Sequence, residues 1–224
     1  MADRGVLVVI SAPSGAGKGT VINELMRMNK DVVTSVSVTS RKPRTGEIEG
    51  QHYFFVEPDT FHAMVSESRF IEWDSYGEHC YGTTREFVGQ KISEGKDIIF
   101  DITIKGAFEI KKQYPEAILV FMLAPTFGEL RSRLEKRGAN SKIEIDWRLE
   151  QALKEVEVID RFDYLLINEV AAEAAGKLDA IISAEKCRVR EGQKPNGLKV
   201  FLDSSVGGSG CRQDKNCGNC QADE

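Results

Sequence analysis

The chain has 224 residues, and its 30 Lys and Arg against 35 Asp and Glu give a formal charge of −5. That length supports one compact domain, or a core with an inserted subdomain, and the net negative charge supplies no global field for nucleic acid. The longest apolar run, residues 117–124, falls far short of the ~18 residues of a membrane span, and with no signal peptide ahead of the first strand and an odd set of five cysteines the expected location is cytoplasmic.

Residues 6–10 read as a buried strand that breaks into SAPSGAGKGT at 11–20, after which Val21, Ile22 and Leu25 start a helical stripe that fades around 28–30. Strand, glycine-rich turn, lysine and helix in that order are the layout of a phosphate-binding loop. Backbone N–H groups and the positive helix end converge on phosphate there, and Lys18 can reach the terminal phosphates of a nucleotide. Two positions depart from G-x-x-x-x-G-K-S/T. Ala12 takes the place of the first glycine, and Gly19 that of the hydroxyl residue expected at Mg²⁺, with Thr20 one residue later.

Residues 32–38 alternate like a strand and lead into RKPRTGEIEG at 41–50, where Pro43 and two glycines keep Arg41, Lys42 and Arg44 on an irregular segment. Such a cluster is either a solvated loop or an anion site. Residues 53–56 form a short aromatic strand, 58–68 a helix, and 70–76 a strand with Glu72 between Ile71 and Trp73. If Glu72 faces inward its desolvation calls for hydrogen-bond donors; if outward, it is the polar half of an alternating strand. Thr83 and Glu86 fit a capping box that opens a helix to about residue 94, so that 37–90 make a small mixed α/β unit.

DIIFD at 97–101 resumes the buried-strand pattern and delivers Asp101 to the edge where ligands collect in parallel sheets. A helix at 104–114 and a strand at 117–123 follow. Thr126 and Glu129 signal another capped helix, carrying Arg131, Arg133, Lys136 and Arg137 and stopped by Gly138. Arg133 and Arg137 share one face, aimed at an anion or at surface acids. Past a polar hinge at 138–142, a helix to about 162 carries Arg148, 164–168 is the last strand, and an Ala-rich helix runs to about 190. From residue 192 the composition is that of a flexible tail. Its Cys211, Cys217 and Cys220, with Cys187 as the nearest fourth, are a weak candidate for a metal site.

Taken together, SAPSGAGKG, SVSVTSRKPRTGEIEGQHYFF, FIEW, YGTTRE, DITIKG, RLEKRG and DYLLIN resemble, in order and interval, the guanylate kinase family over residues 5–188. The resemblance implies an α/β P-loop three-layer core with a parallel sheet, an inserted nucleotide-monophosphate-binding subdomain and a helical lid. On that basis 1–191 form the domain, with core segments 1–36, 91–125 and 160–191, insertion 37–90 and lid 126–159, followed by the tail 192–224. It implies ATP + GMP giving ADP + GDP by in-line transfer, with Mg²⁺ carried mainly through ATP and water and no protein metal ligand assigned. ATP would be held by Ala12, Pro13, Ser14, Gly15, Ala16, Gly17, Lys18, Gly19 and Thr20, with Arg133 and Asn168 alongside. Arg41, Arg44, Tyr53 and Tyr81 match ligands of the acceptor phosphate, and Ser37, Glu72, Thr83 and Asp101 match positions at guanine. Lys18, Arg44, Arg137 and Arg148 are the implied catalytic cations. Implied partners are ATP and GMP or dGMP, without nucleic acid or membrane, in a monomer or homo-oligomer. In the family's D-I-D-x-Q-G stretch, Thr103 and Lys105 replace an aspartate and a glutamine. Two alternatives are a related kinase for another phosphorylated acceptor, disfavoured by Glu72 with both tyrosines, and a phosphopeptide-binding scaffold, disfavoured by Lys18.

Overall fold

The computed structural model describes residues 5–136 and 141–189. One compact unit spans Ala2–Lys186; of the second, Met1 with Cys187–Glu224, only residues 187–189 are described, and Cys187 is an exposed free thiol. Arg137, Gly138 and the tail cysteines Cys211, Cys217 and Cys220 lie outside the described residues.

The core of the first unit is a five-stranded parallel sheet. Its strands are β1 (Leu7–Ser11), β2 (Val32–Thr34), β7 (Asp97–Asp101), β8 (Ile118–Leu123) and β9 (Tyr164–Ile167), ordered β2-β7-β1-β8-β9. Both faces are covered, which is why LVVIS and the first four residues of DIIFD are buried without alternation of polarity. Val8, Ile10, Ile99 and Val120 face one layer with α1 (Lys18–Met28) and the last helix, α7 (Ala171–Cys187). Leu7, Val9, Ile98 and Phe100 face the other, with α3 (Arg85–Ser93) and α4 (Ile104–Gln113). In the β1–β7 register Ile10 lies opposite Asp101, so the carboxyl ends of the two strands meet beside the glycine-rich turn.

A second sheet, ordered β4-β3-β6-β5, is mixed: β3 (Ser37–Thr39) runs parallel to β4 (Tyr53–Phe55) and antiparallel to β6 (His79–Thr84), which pairs antiparallel with β5 (Phe70–Tyr76). Helix α2 (Pro58–Ser66) packs Phe61 and Met64 beneath it. Helices α5 (Phe127–Lys136) and α6 (Lys142–Val156) form a separate small apolar cluster through Leu130, Leu134, Ile145 and Leu149.

Four sequence expectations change. The single strand at 32–38 is two, β2 in the parallel sheet and β3 in the mixed one, because the chain leaves one sheet for the other at Ser35 and Val36. Thr83 does not cap α3. The β5–β6 ladder runs on to Phe70 opposite Thr84, so Thr84 is the cap, accepting from Phe87 N at 3.3 Å, and Thr83 faces the other way. Helix α6 ends at Val156, and a 3₁₀ turn at Ile159–Arg161 follows. Helix α7 ends at Cys187, short of 190.

Phe100 is fully buried in the central layer. Phe100→Ala is expected to lower unfolding free energy by about 3–5 kcal/mol in urea titration; a loss below about 1 kcal/mol would contradict a packed core there.

Candidate functional site

The glycine-rich turn bends where side chains do not fit. Gly15 and Gly17 have φ of 91° and 93°, the left-handed region, and a Cβ on Gly17 would stand 2.5 Å from Asn168 Nδ2. The turn closes through Ala16 N to Pro13 O at 3.1 Å, and α1 starts on Gly17. Two side chains hold it from behind. Asn168 Nδ2 donates to Ala16 O at 2.8 Å and Arg133 Nη1 to the same oxygen at 3.1 Å. Arg133 also donates to Asn168 O at 3.0 Å and Glu129 at 2.9 Å. Both residues therefore reach the loop, through its backbone. Arg148 reaches it from α6, donating to Ser14 Oγ at 2.6 Å and Glu144 at 2.7 Å.

Lys18 Nζ sits over the ends of β1 and β7. It pairs with Asp101 Oδ1 at 2.5 Å and donates to the carbonyls of Ile10 and Ile102, each at 3.4 Å. From this point a cavity of about 620 Å³ opens toward the mixed sheet, lined by Lys18, Ser37, Arg41, Arg44, Tyr53, Glu72, Tyr81 and Asp101. Apart from Thr83, all the residues expected at an acceptor nucleotide thus share one wall with the loop lysine. Thr83 stands just behind, donating to Glu72 Oε1 at 2.8 Å.

Glu72 faces inward, only 7% exposed, and the reason is a bulge. Register shifts between Phe70 and Glu72, so that Phe70, Ile71 and Glu72 are all buried and strict alternation fails. Burial pushes its carboxyl above the ordinary glutamate value. The Thr83 hydroxyl and N–H oppose that rise, and the charge of Asp74 adds to it.

Arg41, 8% exposed, lies 5.4 Å from the Tyr53 ring centroid, and the Tyr53 and Tyr81 rings meet edge to face at 5.9 Å. Its guanidinium forks the Glu47 carboxylate at 3.0 and 2.8 Å, and Glu47 also accepts Arg44 N at 2.7 Å. Arg41 holds Glu47 down at a pKa of about 2, while burial followed by the neighbouring Tyr81 pushes the Tyr53 hydroxyl up.

Sequence reasoning missed three participants. Glu47 follows Arg41 and Arg44 at steps of three, a spacing that could have flagged it. Asp74 pairs with Lys105 Nζ at 2.7 Å on the cavity wall, a contact between distant segments that no local pattern predicts. Glu155 is on the same face of α6 as Arg148, seven residues on, and lines the cavity half-buried; burial raises its carboxyl and Lys18 opposes this. Chemically, the site offers one anion cradle at Lys18, a second cationic and phenolic corner at Arg41, Arg44, Tyr53 and Tyr81, and between them a buried carboxylate able to accept two donors. Among the described residues no three His, Cys, Asp or Glu side chains form a metal cage.

The family described as guanylate kinase matches residues 4–185. The guanylate kinase of Caldanaerobacter subterraneus subsp. tengcongensis is 44% identical over 201 residues, covering 90% of this chain and 97% of that protein. The guanylate kinase of Carboxydothermus hydrogenoformans is 41% identical, covering 91% and 98%. A crystal structure of guanylate kinase from Anaplasma phagocytophilum superposes with a TM-score of 0.68 at 29% identity, covering 91% and 96%.

The two glutamates should titrate in opposite senses. Carboxyl-carbon NMR is expected to find Glu47 protonating near 2 and Glu72 above the ordinary 4.5. The Glu47 contribution to stability is then complete above 4.5 and lost as pH falls through about 2, whereas stability declines as pH rises through the raised Glu72 value. A Glu47 midpoint at 4.5 would contradict the fork.

Proposed function

This chain belongs to the guanylate kinase family, and on that premise we propose how its site divides the work of moving a phosphoryl group from ATP to GMP. The enzyme is a nucleoside monophosphate kinase, converting ATP and GMP to ADP and GDP by in-line transfer with electrostatic stabilisation. The observation that carries the division is the single cavity joining Lys18 to Glu72, Arg41, Tyr53 and Tyr81.

In this reading residues 12–20 cradle the ATP phosphates. Backbone N–H groups at the start of α1 point at them, and Lys18 leaves Asp101 for the more strongly charged phosphate oxygens. Arg133 and Asn168 support ATP binding by holding Ala16 O and so the shape of the loop. The acceptor phosphate lies with Arg41, Arg44, Tyr53 and Tyr81, where it takes over the Arg41 fork from Glu47. Guanine presents N1–H and N2–H₂ on one edge, and Glu72 accepts from both. Adenine has no such donor pair, so it would leave Glu72 with Thr83 alone and no donors from the base, a mismatch worth on the order of 10⁴-fold in favourable sites. Ser37, Thr83 and Asp101 complete the base wall.

The acceptor is itself an anion, so the reaction needs alignment and charge neutralisation more than a general base. Arg148 supplies charge from the lid, and we assign the same role to Arg137 from its place in the sequence alone. Asp101 from β7 and Glu155 from α6 are single carboxylates at the cavity, a donor set that suits Mg²⁺ held mostly by ATP and water. With Mg²⁺ bound alongside ATP, phosphate charge would be partly neutralised there. Closure of α5 and α6 over the phosphates would exclude water as a competing acceptor. We place the activity in the cytoplasm; among the described residues no helix is long and apolar enough to cross a membrane.

A coupled ADP-release assay is expected to give turnover with GMP and little with AMP or UMP; equal rates across the three would sink the guanine assignment. Glu72→Gln should raise KM for GMP by roughly 30- to 150-fold, the loss of about 2–3 kcal/mol from charged hydrogen bonds, with ATP binding unchanged. An unaltered preference for GMP would remove Glu72 from the reading.

A further inference from the structure

We propose that Gly106, in the first turn of α4, is a positioning residue for the Glu72 carboxylate and thereby sets guanine selectivity. This inference rests on the reading of Glu72 given above.

Helix α4 lies along β5 and touches it at three neighbouring residues. Gln113 Nε2 donates to Ile71 O, Lys105 Nζ pairs with Asp74 at 2.7 Å, and between them Gly106 meets Glu72. A Cβ on Gly106 would stand 3.2 Å from Glu72 Oε2 and 3.1 Å from Ile102 Cδ1, closer than ordinary contact in both cases. The other carboxylate oxygen, Oε1, accepts from the Thr83 hydroxyl at 2.8 Å. One oxygen is thus held by β6, and beside the other α4 leaves room for a glycine but not for an ordinary Cβ contact. Two parallel donors on a base edge require control of both oxygens, because a carboxylate turned or shifted by a few tenths of an ångström meets one donor well and the other badly.

Neither backbone geometry nor helix propensity accounts for glycine here. Gly106 is not among the glycines of positive φ, and it is a buried position inside α4, where alanine is the better helix former. Its N–H is already taken by Thr103 Oγ1 at 3.2 Å. What glycine permits is approach. Asp74, whose like charge adds to the rise of the Glu72 carboxyl, is itself paired with Lys105. A methyl group at 106 has two ways out. It displaces the Glu72 carboxylate toward Thr83 and the cavity, or it pushes α4 back and draws Lys105 from Asp74.

The test is Gly106→Ala, assayed with GMP and AMP and followed by thermal unfolding. KM for GMP is expected to rise about tenfold and selectivity over AMP to fall with it. Expected alongside are a kcat at saturating GMP within about twofold, an unchanged KM for ATP, and a melting temperature equal to or above that of the parent. An unchanged KM for GMP overturns the proposal. Ile102→Val in the same background removes the other close contact: a KM that stays high supports Glu72 as the displaced group, and a return to the parent value assigns the effect to Ile102 and overturns it. Should Gly106→Ala not fold, Gly106→Ala with Glu72→Asp decides, since the shorter acid relieves the clash. Folding restored supports the contact, and folding still lost overturns it. Glu72→Gln is measured beside them. If it leaves GMP use unchanged, the reading of Glu72 itself fails; if it raises KM while Gly106→Ala does not, only the role of Gly106 fails.

Discussion

Everything at this site depends on one ammonium group and the two strand ends beneath it. Lys18 Nζ finds Asp101 and two main-chain carbonyls, Ile10 O and Ile102 O, because β1 and β7 run parallel and in register, Ile10 opposite Asp101. In an antiparallel pair one of those ends would lie at the far edge of the sheet. The buried apolar faces of β1 and β7 hold that register, since a slip by one residue would move Val9 and Phe100 into the layer now filled by Val8 and Ile99. The core therefore does more than confer stability. Its packing aims a lysine and a carboxylate at the same point, beside the glycine-rich turn.

The mixed sheet solves a different problem, that of keeping a carboxylate charged while only 7% exposed. Desolvation works against ionisation, and Asp74 two residues along the strand adds to it. The Thr83 hydroxyl and N–H oppose them, and Lys105 pairs with Asp74. The acceptor corner uses the same device with opposite sign. Arg41, almost buried, keeps its charge because Glu47 occupies its fork in the free protein and the Tyr53 ring packs against it. Each of these buried groups thus has a resident partner, Thr83 for Glu72 and Glu47 for Arg41, which offsets part of its desolvation.

Local chemistry made much of this legible from sequence. LVVIS and DIIFD are largely apolar because both sheet faces are covered, and SAPSGAGKGT reads as a glycine-rich turn into a helix because its glycines and lysine act within a few residues of each other. What escaped depends on pairing between distant segments. Nothing in FIEWDSY announces a bulge, so the inward turn of Glu72 stood as one of two alternatives until β6 was placed beside it. Nothing in VVTSVSVT announces that the chain changes sheets at Ser35. YGTTRE carries two threonines able to cap a helix, and the choice between them is made by the length of the β5–β6 ladder, which no local pattern encodes.

The three glycines of the loop illustrate how differently one residue type can be required. Gly15 is held by conformation and by Leu134, whose Cδ2 a Cβ would approach to 2.9 Å; Gly17 is held by conformation and by Asn168. Gly19 is held by neither. Its φ is ordinary, and no atom lies within 4 Å of where a Cβ would stand. A serine or threonine there would meet no protein atom, so packing does not explain the missing hydroxyl. Glycine at that position leaves open space beside the first turn of α1. The loop then offers backbone dipoles and Lys18 where related loops add a hydroxyl, and the carboxylates of Asp101 and Glu155 line the cavity with that lysine.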